Sequence, residues 1–139
     1  MNATVLYRIA SLLLVLFAAG HTFGFLHFKP PSAEGRAVYE SMNNVQFQIE
    51  GSNFSYGGFY RGFWLFVTAY LLLSAFLAWY LGALAGSGPQ AAITLGWALF
   101  AVQLVSLVLS WIYFSAVPAI FSALVAVCLG WATWLVTGV

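Results

Sequence analysis

From Gly62 to Val139 the chain has no charged side chain. A soluble fold cannot be built on such a stretch, because its apolar surface would face water with no charge to keep it dissolved. In a bilayer the stretch is stable if every backbone polar group is bonded within its own helix. A spanning helix needs about 20 apolar residues. The run divides into such lengths at Gly86-Ser87-Gly88-Pro89-Gln90 and at Ser115-Ala116-Val117. The predicted spans are therefore 62–85, 91–114 and 118–136, with Pro118 in the first turn of the last. A further span is predicted over 4–28, interrupted only by Arg8 and His21.

Composition agrees. The 139 residues are 63% hydrophobic and 5% charged, against about 45–50% and about 25% in soluble domains. That balance excludes a disordered chain and a secreted disulfide scaffold, and Cys128 has no second cysteine to pair with. A net charge of +1 offers no basic face to DNA or RNA, so no nucleic-acid partner is expected. Connections this short make neighbouring spans antiparallel. The expected fold is all-α: a four-helix transmembrane bundle, up-down-up-down, in a single domain 1–139. The first segment also has the pattern of a signal peptide, with Arg8, the run 9–19 and then Ala18-Ala19-Gly20. A retained span is the favoured reading, since it makes the helix count even.

The loop 29–61 holds most of the charge. Lys29 closes the first span, and Pro30-Pro31 end its helix. Ser32 can cap a new one. Val38, Met42, Val45 and Ile49 then recur at helical intervals, while Glu34, Arg36, Glu40, Asn44 and Gln48 take other faces. The pattern predicts an amphipathic helix over 32–48, lying at the membrane interface or lidding the bundle. The glycine- and aromatic-rich segment 51–64 follows. Tyr56 and Tyr60 there read as an aromatic belt, or Tyr56 as a ligand contact. Arg61, at the mouth of the second span, must snorkel, pair with Glu40 or Glu50, or line a wet cavity.

Inside the spans, His21 lies seven residues before Phe28, about 10 Å below that end. His27 lies on another face, so the two histidines cannot clamp one metal or haem. No cofactor or metal is expected. Gln103, Ser106, Ser110 and Tyr113 form one stripe of the third span, and Thr68 lies on the face of Arg61. Hydrogen bonds between helices explain such residues without any ligand. His21, Gln103 and Arg61 together also fit a loop-side pocket. Gly20/Gly24, Gly58/Gly62 and Gly82/Gly86 have GxxxG spacing, and Ser122/Ala126/Gly130 extends it. These faces suit close contact within the chain, with a second copy, or with a membrane partner.

The run Gly20-His21-Thr22-Phe23-Gly24, with Ser55-Tyr56-Gly57-Gly58-Phe59-Tyr60-Arg61-Gly62-Phe63, resembles a family of small bacterial four-helix membrane proteins. The overall plan is distantly similar to DoxX-like membrane proteins. The resemblance implies a bacterial inner-membrane location and brings no catalytic residues with it.

These readings give three expectations for function. The first is a protein that binds an apolar or lipid-like small molecule, with Tyr56, Arg61, Thr68, Gln103, Ser106, Ser110 and Tyr113 joining His21 around it. The second is a membrane-embedded acid–base enzyme, isomerase-like, with His21 moving the proton and Glu50 or Tyr60 as partner. The third is an accessory subunit of a larger membrane complex. A channel is disfavoured, because no ring of charge or continuous polar lining crosses the bilayer.

Overall fold

The computed structural model describes residues 2–138. In chain order these form α1 (Ala3–Leu26), α2 (Ala33–Asn44), β1 (Gln46–Ile49), β2 (Ser52–Ser55), α3 (Tyr56–Ser87), α4 (Pro89–Tyr113) and α5 (Ala116–Thr137). Four of the helices are long and apolar enough to cross a membrane. The chain divides into two compact units, one made of Ala19–Ala69 and the other of the chain up to Ala18 and from Tyr70 onward.

The second of these is a four-helix bundle, built from parts of α1 and α3 with all of α4 and α5. The contacts run antiparallel. Tyr7 meets Thr133 and Phe17 meets Phe121, so the index rises along α1 as it falls along α5. The four helices meet through small residues. Ala10, Ala18, Ala75, Ala78, Ala92, Ala126 and Ala132 are all buried. Lipid tails are as apolar as leucine, so helices in a bilayer associate by close backbone approach and interhelical hydrogen bonds. The bundle uses both. Its interior holds Ser11, Ser74, Gln103, Ser110, Ser122 and Thr133, whereas Leu12, Leu16, Val105, Val108, Trp111 and Val127 point outward. Polar groups inside and large apolar groups outside suit a lipid surround.

The tightest point is Gly96. The Tyr7 hydroxyl and Thr133 Oγ1 lie 2.9 Å apart. Thr133 spends its own proton on the Leu129 carbonyl, 2.8 Å away, so Tyr7 donates to Thr133. A Cβ at Gly96 would strike both Thr133 Oγ1 and the Tyr7 oxygen. Gly96 thus lets α4 approach the place where α1 and α5 are bonded. Elsewhere Ser11 Oγ donates to the Ala75 carbonyl at 2.8 Å, and Gly82 lies where an added Cβ would be 3.3 Å from the Thr4 carbonyl oxygen.

The other unit departs from the sequence reading in two ways. The helix predicted over 32–48 ends at Asn44. Ser32 caps it as expected, accepting from the Gly35 N–H at 3.0 Å. From Gln46 the chain alternates polar and apolar with period two, which is strand patterning. It pairs in a hairpin that sets Phe47 opposite Phe54 and Gln48 opposite Asn53. Ile49 therefore belongs to β1 and not to the helical stripe. The two-residue turn is Glu50-Gly51, with φ of 49° and 80°, the left-handed pair of a type I′ turn. The second span also starts six residues early, at Tyr56 and not at 62. Ser55 Oγ accepts from the Gly58 N–H at 3.0 Å and caps the new helix, which draws Gly57 and Gly58 into its first turn. Gly57 is buried against the side chain of Asn43, which is itself held by the Tyr39 carbonyl at 2.8 Å.

The resulting α3 has 32 residues. At 1.5 Å per residue it is about 48 Å long, against about 30 Å of hydrocarbon. The surplus can carry its first two turns, and Arg61 with them, clear of the apolar layer.

Gly96→Ala is expected to cost about 1–3 kcal/mol, the usual range for overpacking. Gly20→Ala meets nothing within 4 Å and should be neutral or slightly stabilising. Thermal unfolding of both variants in one detergent checks the pair. In the hairpin, Asn tolerates the left-handed region better than Glu. Glu50→Asn should slow amide hydrogen exchange across 46–55, and Glu50→Pro should abolish its protection.

Candidate functional site

Within the unit 19–69, α1 and α3 bring His21 and Thr68 together. His21 Nδ1 lies 3.2 Å from Thr68 Oγ1, and Thr22 Oγ1 lies 3.0 Å from the same oxygen. Thr68 Oγ1 also lies 3.4 Å from the Trp64 carbonyl, one turn back. The imidazole stacks on Trp64, with ring centroids 4.2 Å apart and planes at 29°. Phe25 stacks on the same indole at 4.7 Å, and Tyr60 meets it edge-on at 6.1 Å. Helical spacing explains the group. His21 and Phe25 are one turn apart on α1, and Tyr60, Trp64 and Thr68 are successive turns of α3.

The Thr68 hydroxyl has one proton and three polar neighbours, and this couples it to the histidine tautomer. If Thr68 donates to the Trp64 carbonyl or to Thr22, His21 donates through Nδ1–H, and its Nε2 is a bare acceptor. If Thr68 donates to Nδ1, the proton of the ring sits on Nε2. In both arrangements Nε2 has no hydrogen-bond partner among the described residues. Nor is it sealed: among the described residues, the buried, unpaired side-chain polar atoms are Gln103 Oε1 and Ser122 Oγ. His21 is half-buried in a spanning helix and offers one ring nitrogen for use.

The remaining predicted residues fall in different places. Glu50 is exposed at the hairpin turn, and Arg61 is exposed on the second turn of α3. Tyr56 lines an open apolar groove of about 360 Å3 with Val38 and Met42 of α2 and Val45 just after it. Gln103 and Ser106 belong to the bundle unit, where they meet through Tyr70. Ser106 Oγ donates to the Val102 carbonyl at 3.0 Å, so it accepts from the Tyr70 hydroxyl at 3.2 Å. Tyr70 in turn accepts from Gln103 Nε2 at 3.0 Å. Ser110 is buried in α4, and Tyr113 is exposed at its end. His27 stacks on Phe23 and donates from Nδ1 to the Phe23 carbonyl at 2.9 Å. Among the described residues, no three of His, Cys, Asp and Glu stand together as metal ligands.

Three residues of these clusters were not singled out from sequence. Trp64 lies one turn from Thr68, and Thr22 adjoins His21. Tyr70 carries the one phenol of the apolar stretch 65–79. Spacing of four from an intramembrane polar residue is the signal that finds Trp64.

The lipid-suited exterior, polar interior and four apolar helices define an integral membrane protein of the helical-bundle class. No family model, curated protein or solved structure matches the chain.

Thr68→Val removes one partner of Thr22 and the Nδ1 partner of His21. Intramembrane hydrogen bonds average about 0.6 kcal/mol each, so the loss should be about 1 kcal/mol in unfolding measurements. The side-chain 15N resonances of His21 should shift, while those of His27 stay in place.

Proposed function

We propose that this integral membrane protein binds an apolar or lipid-like small molecule, with His21 Nε2 making the hydrogen bond to its polar head. The observation that carries the reading is the anchored imidazole. Thr68 holds Nδ1, Trp64 supports the ring face, and Nε2 has no partner among the described residues. A polar nitrogen within a spanning helix is costly to leave unpaired, so its persistence calls for an occupant. Phe25, Trp64 and Tyr60 supply flat apolar surface for the body of the same molecule.

The chemistry also accommodates an acid–base enzyme working on a lipophilic substrate. Tyr60 shares the Trp64 cluster with His21, whereas Glu50 sits on the hairpin turn and would enter only as an outer group. Binding is the more economical reading, since it asks for one hydrogen bond and no second proton carrier.

Native mass spectrometry from a mild detergent tests it, with denaturing identification of whatever accompanies the chain. Wild type should carry a small molecule at defined stoichiometry, and His21→Ala should lose it while remaining folded. Equal retention by both proteins, or no retained molecule in wild type, would count against the assignment.

A further inference from the structure

Arg8 is the one Lys, Arg, Asp or Glu of the bundle unit, the chain up to Ala18 and from Tyr70 onward. Arg8 makes no ion pair among the described residues. Yet its guanidinium does not hang free. Its Cζ lies 5.0 Å from the centre of the Trp79 ring, a cation–π contact. Its stem crosses α3 at Gly82, where an added Cβ would be 3.7 Å from Arg8 Cγ. The stem thus packs against α3, and the indole holds the guanidinium at its end.

Depth specifies what can balance such a charge. α1 has 24 residues and is about 36 Å long, so it exceeds the hydrocarbon by about 3 Å at each end. Arg8 is five residues into the helix, about 7.5 Å from its start, just inside the apolar boundary. A guanidinium there is within reach of the layer in which lipid phosphates lie. It presents planar, paired N–H donors that match phosphate oxygens, and the indole occupies only one of its faces. Lipid phosphate supplies a negative partner without moving the arginine into water.

We infer that Arg8 and Trp79 form a headgroup site for the phosphate of an anionic phospholipid, separate from the His21 cluster. The protein is reconstituted in bilayer discs of equal phosphatidylglycerol and phosphatidylcholine. It is then exchanged into mild detergent, and the retained lipids are measured by mass spectrometry. Wild type should retain phosphatidylglycerol in excess. Arg8→Gln should reduce that excess about fivefold, the factor corresponding to one basic residue at an anionic surface. Trp79→Leu should reduce it with the charge intact, and Arg36→Gln should leave it unchanged. If millimolar inorganic phosphate displaces the lipid, the site takes phosphate from solution as well. If Arg8→Gln and Trp79→Leu both keep the wild-type ratio while remaining folded, the site does not exist. If either variant unfolds, Arg8→Lys serves in its place: it keeps the charge and loses the fork, and an unchanged ratio would likewise overturn the assignment.

Discussion

The bundle depends on the bond between Tyr7 and Thr133 across the bare face of Gly96. Three helices meet at this point, and none of them gains from hydrophobic exclusion as it would in water. What remains is contact distance and hydrogen bonding, and the two requirements reinforce each other here. The missing side chain at Gly96 allows α4 to close on the pair. Both side chains are fully buried with no lipid or water to turn to, so the Tyr7 hydroxyl depends on Thr133 for its hydrogen bond. The remaining small residues along α1, α3 and α5 extend the same logic.

The polar groups differ in how they would fare without their tertiary partners. Ser106 and Thr133 donate to carbonyls one turn back on their own helices. Their protons are therefore satisfied even in an isolated helix, and the interhelical bond is an addition. Histidine and glutamine cannot close this account. Gln103 satisfies one end of its amide through Tyr70 and leaves Oε1 sealed without a partner. His21 satisfies Nδ1 and leaves Nε2 unsealed. A sealed unpaired acceptor is a stability cost of about 1–3 kcal/mol, whereas an accessible one is open to a partner from outside the chain. This contrast separates the two intramembrane candidates that looked equivalent as letters.

Much of the fold was legible because hydropathy and length are one-dimensional properties. The four spans, the Pro30-Pro31 break and the Ser32 cap all follow from local chemistry. The hairpin is not legible, because Val45 and Ile49 also fit helical spacing and the run 46–49 is too short for its period to stand out. The early start of α3 was hidden by Gly57 and Gly58, which read as loop but lie inside a helix capped by Ser55. Glycine roles were the least legible. Gly20, Gly24, Gly62 and Gly86 have GxxxG spacing but meet nothing within 4 Å, while Gly57 and Gly96 take the tightest contacts. Spacing marks where two helices can approach, and only the partner's position decides which glycine is used. The candidate site was partly legible for the same reason. His21 and Thr68 were singled out separately, but their meeting depends on how α1 and α3 are set side by side.

The head of α3 carries two adjacent stripes, one residue out of phase. Phe59 and Phe63 stack edge-on, and Phe59 meets Phe47 of the hairpin. Tyr60, Trp64 and Thr68 face the end of α1 and hold the His21 ring. One residue is about 100° of rotation on a helix. The same two turns therefore serve the hairpin on one side and the histidine on the other. Any rotation of this segment about its axis would move Phe59 against Phe47 and Trp64 against His21 together. The Gly57–Asn43 contact and the Ser55 cap oppose such a rotation at the helix start. The orientation of His21 is thus fixed twice, by Thr68 directly and by the hairpin through the stiffness of α3.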